Sequence, residues 1–494
     1  MINELFKDIS KYLPSMLVPA IVGIIVLPVL TRLFPPADFG LYSLVMATIH
    51  ILTTFVGWLS ISIIRFFPAY ERDNTLKEIY SSVVKLLFIS VVLLAGVFLG
   101  FLFIFKSYIL PQLWPLMLIG VAIFILTSGF QVLQSFLRAR RQISWYSGFS
   151  IWNSVATLCF GIALVMSFSY GVEGLLWGNV LSLAVVVPLL WMIAVRGKTD
   201  LRASGISVEL TKDMAKFGLP MVVGSLAAWV LSLSDRYVLE FYRGAQEVGI
   251  YSVSYNISEN SIFLLVSLFI LASGPLNIRI WERDGIEKSQ QFATKVTRYF
   301  LLLCLPAAVG LSILAKPAIA VLAAPEYYEG YRIVALVAFG YFFLGLEHRF
   351  GVGFVFYKKT IHIMIIFVIS VLMNIGLNLW LVPHYGYMAA AVTTLVSYAF
   401  LLVVTIVISR RYFIWGFPFK SLGKIVVASA IMGLAVYPVG NGLTSSSHIN
   451  LILGICVGVA VYVLMIFLLR ELQKEEIHAL RGIGRRILKR GQDK

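Results

Sequence analysis

The sequence predicts an all-α protein that crosses a membrane about fourteen times. Of its 494 residues, 60% are hydrophobic and only 13% are charged, whereas about a quarter of the residues of a typical soluble chain are charged. The mean hydropathy of +0.90 points the same way, because so much apolar surface needs lipid as its solvent. These values exclude a soluble globular domain.

Apolar runs that are long enough to cross the roughly 30 Å hydrocarbon core as helices recur along the whole chain. We place fourteen of them, near residues 12–33, 40–64, 83–105, 113–137, 148–168, 173–195, 217–239, 249–272, 297–316, 331–354, 361–382, 387–409, 422–438 and 449–469. An outer-membrane barrel would instead show segments of about ten residues with alternating hydrophobicity. The pattern therefore favours a helical bundle.

Lysine and arginine collect on one side of the predicted membrane. With the N-terminus taken as cytoplasmic, the loops and termini on that side hold 33 of the 40 basic residues. The other side holds Arg32, Lys106, Arg236, Arg243, Lys316 and Arg332, and Arg349 falls inside a span. The asymmetry predicts that both termini are cytoplasmic. It also accounts for the net charge of +16 without a nucleic-acid partner.

The second group of six spans repeats the first. Corresponding positions carry Leu13-Pro14 and Leu219-Pro220, Gly40-Leu41-Tyr42-Ser43 and Gly249-Ile250-Tyr251-Ser252, and Tyr170-Gly171 and Tyr385-Gly386. Six spans per repeat give both halves the same orientation, with an axis along the membrane normal between them. We therefore expect residues 1–200 and 201–415 to form two six-helix bundles around a central cavity, and residues 416–470 to add two more helices.

Two further segments carry expectations about shape. Residues 471–494 are rich in basic residues, with apolar residues at helical spacing, and predict an amphipathic helix on the anionic cytoplasmic leaflet. Pro14, Pro19 and Pro28 in span one and Pro220 in span seven each remove an intrahelical hydrogen bond and favour a bend. These bends either serve gating or are merely tolerated, since transmembrane helices are rich in proline.

Ionisable residues inside the predicted spans are candidates for a water-filled path, because burying a charge in lipid is costly. Asp235 and Arg236 lie near the outer end of span seven, Glu259 lies in span eight, and Glu347 and Arg349 lie in span ten. Intramolecular charge pairing is the alternative explanation for these residues. The residues alone do not decide between the two.

Other polar residues have a purely structural alternative. Arg32 and Arg65 lie near the ends of spans one and two, where long side chains also reach the interface by snorkelling. Asn256 and Asn260 flank Glu259 at helical spacing and share a face with it. Such amides also serve as hydrogen-bonding contacts between membrane helices.

No pattern of an enzyme or of a metal site is present in the sequence. It has no dinucleotide-binding or Walker loop, no HExxH and no long insertion that would house a catalytic domain. The three cysteines lie in apolar runs without metal-binding spacing. We therefore expect neither enzymatic activity nor a bound metal or cofactor.

The motifs at the start of each half resemble a known family. The run Leu30-Thr31-Arg32-Leu33-Phe34-Pro35 leads into Asp38-Phe39-Gly40-Leu41-Tyr42, and the second half carries Phe217-Gly218-Leu219-Pro220, Ser234-Asp235-Arg236-Tyr237 and Val248-Gly249-Ile250-Tyr251. This pattern resembles that of polysaccharide flippases of the O-antigen type, in the multidrug/oligosaccharidyl-lipid/polysaccharide (MOP) exporter superfamily. The resemblance covers nearly the whole chain.

The resemblance implies a protein of the cytoplasmic membrane that flips an isoprenoid-pyrophosphate-linked oligosaccharide by alternating access. A cationic cavity between two bundles would hold the headgroup, and anionic lipids, a glycan polymerase and glycosyltransferases are the expected partners. The candidate substrate contacts are Arg32, Arg65, Arg236, Arg349, Asn256 and Asn260. Asp235, Glu259 and Glu347 are the candidate sites for coupling to a proton or sodium gradient.

The sequence does not exclude three other functions. A drug or cation antiporter of the same superfamily would favour acidic cavity residues, whereas basic residues are at least as common here. A membrane glycan polymerase or ligase generally has a large outer loop, and the outer loops of this sequence are short. A scaffold within a glycan-synthesis complex has no sequence feature of its own.

Overall fold

The computed structural model describes residues 2–168, 170–197 and 206–472, and every regular element within them is a helix. We number the long helices α1 (Ile2–Leu33), α2 (Pro36–Arg72), α3 (Leu76–Ile104), α4 (Leu113–Ala139), α5 (Ile143–Phe168), α6 (Val172–Ala194), α7 (Val208–Arg243), α8 (245–284), α9 (286–313), α10 (Tyr331–Phe350), α11 (360–385), α12 (387–409), α13 (Phe419–Gly440) and α14 (Ser447–Leu468). Short helices Ala315–Leu322, Pro325–Gly330 and Val352–Phe356 flank α10, and Lys106–Tyr108 precedes α4. The amphipathic helix expected for 471–494 lies outside the described residues from 473 onward.

The predicted fold class is confirmed. Within the described residues, twelve helical segments are long and apolar enough to cross a membrane. One of them, Ile361–Ser409, is 49 residues long and holds two crossings, α11 and α12, which meet at Gly386. That glycine has φ +57° and ψ −142°, a conformation that costs glycine little. The outer part of α1, Ile21–Leu33, is a shorter apolar helix.

One predicted loop is helical instead. The sequence indicates a connection over roughly 273–296, but α8 continues to residue 284 and α9 begins at 286. The two helices are separated only by Gly285, whose φ is +81°. The charged residues around this point, such as Glu282 and Arg283, are good helix formers, so the helices extend past the apolar spans.

The two groups of six helices pack in a similar way. In the first group, α1 packs on α5, α2 on α4, and α4 on α6. In the second group, α8 packs on α10, α7 contacts α11 through Ser234 and Asn374, and α10 contacts α12 through Glu347 and Thr405. Helix α2 also contacts both α7 and α8, so it joins the two groups.

The two ends of the bundle differ in charge. Connections at residues 140–142, 357–359 and 410–418 carry basic residues, and we call this end the basic face. The other end, with connections at 34–35, 105–112 and 244, is the opposite face. There the Tyr327 hydroxyl donates a hydrogen bond of 2.8 Å to the carbonyl oxygen of Phe34.

Helices α2 and α8 cross at the opposite face through two glycines. A Cβ atom on Gly40 would overlap the carbonyl oxygen of Ala245, and a Cβ atom on Gly249 would overlap the carbonyl oxygen of Pro36. Both glycines are therefore required for the two backbones to approach so closely. The crossing closes this end of the bundle between α2 and α8.

The last two helices pack on the second group. Helix α13 lies against α9, and α14 lies against α13 and the short helix Ala315–Leu322. At the basic face, the Arg298 Nε atom donates a hydrogen bond of 2.7 Å to Glu471, and the Lys424 ammonium lies 3.5 Å from the same carboxylate. Glu471 is 5% exposed, so this buried ion pair ties α9, α13 and the end of α14 together.

Candidate functional site

Three cavities follow one another along α7, α8 and α10. The first, of about 240 Å³, lies between α2, α7 and α8 and reaches Phe39 near the opposite face. The second, of about 380 Å³, lies between α7, α8, α10, α11 and α12. The third, of about 230 Å³, lies between α8, α10 and α11 at the basic face. The first two share Trp229, Ser232 and Glu259, and the last two share Ile270, His348 and Phe367.

Arg236 lines the first cavity but is held by the protein. Its Nη1 donates to the carbonyl oxygen of Ser232 at 2.9 Å and its Nε to the Ser252 hydroxyl at 3.3 Å. The guanidinium lies 3.7 Å from Asp235 Oδ1 and 4.8 Å from the centre of the Tyr255 ring. Arg236 is 4% exposed. Its charge is partly balanced by Asp235 and faces the first cavity.

A π-helical turn, Glu259–Phe263, interrupts α8, and the three residues predicted to share a face of this helix have different surroundings. Asn256 and Glu259 both line the first cavity. Asn260 instead faces α1, where a Cβ on Gly23 would lie 3.3 Å from its amide nitrogen. Glu259 and Asn260 are adjacent and diverge by about 100° around the helix, so one faces the cavity and the other faces α1.

Asp235 of α7 lies in a fully buried polar cluster with residues of α8 and α12. Its Oδ2 accepts hydrogen bonds from the hydroxyls of Tyr251 and, at 3.3 Å, Thr394. Its Oδ1 has no hydrogen-bond partner among the described residues. The cluster thus holds one carboxylate whose second oxygen has only the nearby Arg236 charge beside it.

Two asparagines of α11 extend this cluster. Asn378 donates to the Asn374 side-chain oxygen at 3.0 Å and accepts from Thr393 at 2.7 Å. Both asparagines are fully buried, and the Asn374 amide nitrogen has no hydrogen-bond partner in the described part of the chain. Their spacing in the sequence shows a shared helical face, but only the fold brings that face to α7.

Arg349 lines the third cavity with a free donor. One of its terminal nitrogens donates to the Ser273 hydroxyl, whereas its buried Nε has no hydrogen-bond partner within the described ranges. Beside it, Glu347 accepts a hydrogen bond from Thr405 at 3.3 Å and lies 3.1 Å from the His348 ring. The third cavity therefore has at its wall a cation whose hydrogen bonds within the protein are incomplete.

Arg32 and Arg65 do not join this site. Arg32 is exposed in the last turn of α1 at the opposite face, and Arg65 is exposed on the basic half of α2. From the start of α2 to Arg65 the helix rises roughly 44 Å, so the two arginines lie at opposite ends of the bundle. Neither lines any of the three cavities.

An aromatic pair at the wall of the first cavity was not indicated by the sequence. The His50 ring of α2 stacks on the Trp229 ring of α7, with centroids 4.9 Å apart and planes 13° apart. The two residues are far apart in the chain and each falls in an apolar run without any motif, so no sequence signal links them. Within the described residues, no group of three or more His, Cys, Asp or Glu is arranged to hold a metal ion.

Comparison with known proteins places the chain among membrane transport and polysaccharide proteins. The family model described as polysaccharide biosynthesis protein matches residues 5–281. An uncharacterised membrane protein of Methanocaldococcus jannaschii is 24% identical over 79% of this chain and 81% of its own length. A probable flippase, AglR, of Haloferax volcanii is 22% identical over 72% of this chain and 74% of its own length.

Solved structures share the fold. The lipid II flippase MurJ in an inward closed conformation superposes with a TM-score of 0.76 at 16% identity, covering 94% of this chain and 99% of that protein. An inward-facing multidrug resistance MATE transporter of the MOP superfamily gives a TM-score of 0.66 at 15% identity, covering 81% and 94%. The fold of the bundle is therefore one that flippases and drug transporters have in common.

Proposed function

The chain belongs to the polysaccharide biosynthesis protein family, and from that premise we propose that it flips an isoprenoid-pyrophosphate-linked oligosaccharide across the cytoplasmic membrane by alternating access. The observation that carries the proposal is Arg349, a buried arginine with a free donor at the basic-face end of a row of cavities. The coarser function, a flippase-like transporter of the MOP superfamily, agrees with the family and with the structures that share this fold.

Arginine suits the headgroup of such a cargo. A pyrophosphate does not cross hydrocarbon unaided, and a guanidinium offers a permanent charge with several donors for phosphate oxygens. Arg349 lies where a headgroup entering from the basic face would first meet the cavities. Arg236 donates hydrogen bonds from Nε and Nη1 to the protein and lies beside Asp235, so it would act on the cargo mainly through its charge.

The remaining predicted contacts divide between two roles. Asn256 lines the first cavity and presents an amide to sugar hydroxyls, which form hydrogen bonds with both its donor and its acceptor. Asn260 lies at the contact between α8 and α1, so its surroundings would change when α1 moves. Arg32 and Arg65, at the two ends of the bundle, would meet a phosphate only before or after its passage.

We infer that the Asp235 cluster is the strongest of the three candidates for ion coupling. It combines a carboxylate with amide and hydroxyl oxygens in a fully buried position, and oxygen ligands of this kind suit hard cations. Glu259 lines both the first and the second cavity and Glu347 lines the third, so these carboxylates are better placed for protons that travel with water.

The orientation of the proposed cycle follows the charge asymmetry. We assign the basic face to the cytoplasm because cytoplasmic loops carry an excess of lysine and arginine. Residues 1–200 and 201–415 would then rock as two bodies, with the Gly40–Gly249 crossing closed in the conformation described. Glycosyltransferases and a glycan polymerase are the expected partners, since they make and consume the cargo, and the protein itself would transport without catalysis.

A drug or cation antiporter is the second candidate, and one observation favours it. The second cavity carries Glu259 and His348 but no lysine or arginine among the residues that line it in the described structure. An acidic cavity of this kind suits a cationic cargo. The two functions differ in which cargo competes for the site.

The test is a flipping assay in proteoliposomes with a fluorescent undecaprenyl-pyrophosphate disaccharide. Arg349→Ala is expected to lower the initial rate at least tenfold, because a hydrogen bond to a charged group is lost, and Arg349→Lys is expected to restore part of it. Arg332→Ala, which alters an exposed ion pair with Glu329, serves as the matched control. Equal rates for wild type, Arg236→Ala and Arg349→Ala at equal protein amounts would refute the cationic site, and transport of a cationic dye alone would favour the antiporter.

A further inference from the structure

The stacked rings of His50 and Trp229 lie between the first and second cavities of the row. Trp229 lines both the first and the second cavity, and His50 covers one face of its ring from the first. His50 belongs to the first group of six helices and Trp229 to the second, so the pair also bridges the two groups. The stack therefore lies at the boundary that the first and second cavities share with Ser232 and Glu259.

The ring nitrogens of His50 and Trp229 form no hydrogen bonds with the described residues. Among the residues that the structure describes, neither ring nitrogen of His50 nor the indole N–H of Trp229 has a hydrogen-bond partner, although the side-chain hydroxyls of Thr53 and Thr54 bind the His50 carbonyl oxygen. Both rings are only partly buried. The stack therefore offers ring faces together with donors and acceptors that point to no protein group.

The surroundings of the stack match the chemistry of a sugar. The first cavity adds the rings of Tyr42 and Tyr255, the amide of Asn256 and the carboxylate of Glu259. A pyranose has an apolar face of C–H groups and an edge of hydroxyls, so it needs an aromatic plane beside hydrogen-bonding side chains. These two kinds of group lie together in this cavity, with the Trp229 ring as the plane shared with the second cavity.

We propose that Trp229 is the sugar-stacking residue that sets cargo specificity and that His50 is a cover which the sugar ring displaces. This inference rests on the proposed function and names the part of the cargo that the first cavity recognises. A flat imidazole occupies the face of Trp229 that a sugar ring would take. Displacing it opens the wall between the two cavities and breaks a contact between α2 and α7.

The displacement ties cargo entry to motion of the two groups of helices. A stacked aromatic pair adds a modest stabilisation beyond its buried area, which a sugar ring on the same face replaces. The contact between α2 and α7 at this level is thereby exchanged for a contact between α7 and the cargo. A headgroup without sugar has no ring to stack on Trp229, so the His50 ring stays in place.

The test compares the binding of two probes to the purified full chain in detergent, namely undecaprenyl pyrophosphate with and without one N-acetylglucosamine. Trp229→Leu is expected to weaken binding of the glycosylated probe about tenfold and binding of the sugar-free probe less than twofold. Trp229→Phe keeps a stacking plane and should retain most of the preference. His50→Ala removes the competing ring and is expected to strengthen binding of the glycosylated probe two- to tenfold.

Trp177→Leu is the matched control, because Trp177 lies on α6 and is 42% exposed. Equal effects of Trp229→Leu on both probes would overturn the inference and leave the proposed function standing, as would weaker binding of the glycosylated probe to a folded His50→Ala protein. Failure of the wild-type chain to bind either probe would overturn the proposed function and this inference together.

Discussion

The glycine crossing of α2 and α8 provides the sharpest test of how the opposite face is closed. Gly40→Ala places a methyl group against the carbonyl oxygen of Ala245, and Gly249→Ala places one against the carbonyl oxygen of Pro36. The obstacle in each case is backbone, which has no alternative rotamer to adopt. The methyl group therefore fits only if the two helices separate.

The magnitude follows from the overlap. Ordinary van der Waals contact is restored only when the two backbones move apart by about 1.5 Å. Overpacking of this kind costs about 1–3 kcal/mol. This is a factor of about 5 to 150 in the population of the closed crossing. The double variant should not add the two costs, since one separation relieves both contacts.

The assay is labelling of a cysteine at Ser43, which lines the first cavity just below the crossing, by an impermeant maleimide added at the opposite face. The free cysteines Cys159, Cys304 and Cys456 are first replaced. Either glycine variant should raise the labelling rate about 5- to 150-fold over the parent.

Gly57→Ala is the control for this assay, because a Cβ there meets nothing within 4 Å and the helix is the same. If both glycine variants label no faster than Gly57→Ala while remaining folded, the crossing is not the seal and the reasoning is wrong. A fall in thermal stability without faster labelling would also contradict it, because the strain would then be absorbed elsewhere.

Three further changes test other parts of the structure. Arg298→Ala should cost about 1.5–3 kcal/mol in stability, measured by thermal unfolding in detergent, because the buried Glu471 loses a charged hydrogen bond and keeps only Lys424 as its partner; Lys288→Ala, at an exposed pair, should cost little, and equal effects would contradict the buried-pair argument. Asp235→Asn is expected to abolish the dependence of flipping on the ion gradient while retaining probe binding; a variant that keeps full gradient dependence excludes Asp235. Pro28→Ala should slow flipping if bending of α1 serves gating, and an unaltered rate would assign the proline to mere tolerance.

Most of the fold is predictable from the sequence because the membrane imposes it. Apolar runs of about twenty residues have few alternatives to a helix in lipid, so the fourteen spans are visible without tertiary information. The helical stretch around Gly285 is not, since its charged residues suit a loop and a water-exposed helix equally well. Only the positive φ of Gly285 marks where one helix ends and the next begins.

The candidate site is predictable only in part. Charge inside a span identifies Asp235, Arg236 and Arg349, because burying an ionisable group in lipid is rare without a reason. The same argument fails for Arg32 and Arg65, since a side chain near a span end has two explanations and the sequence does not give the depth of either residue. Those arginines lie at opposite ends of the bundle, outside the three cavities.

Two other parts of the site depend on the fold itself. Helical spacing puts Asn256 and Asn260 near one face, but only the packing of α1 against α8 shows that Asn260 faces α1 and Asn256 faces the first cavity. The stack of His50 on Trp229 joins two positions that the sequence gives no reason to connect. Aromatic residues are so frequent in this chain, at 14%, that composition does not single out either ring.

The contacts of the glycine crossing are reciprocal, because each half of the chain supplies one glycine and one backbone carbonyl. Gly40 meets Ala245 while Gly249 meets Pro36. Gly249 follows Gly40 by 209 positions, and Ala245 follows Pro36 by the same 209 positions. In a symmetric dimer of half-length chains, one glycine would make this contact twice across the two-fold axis, as isologous interfaces do. In a single chain the two positions are free to differ, yet each glycine meets the backbone of the other half.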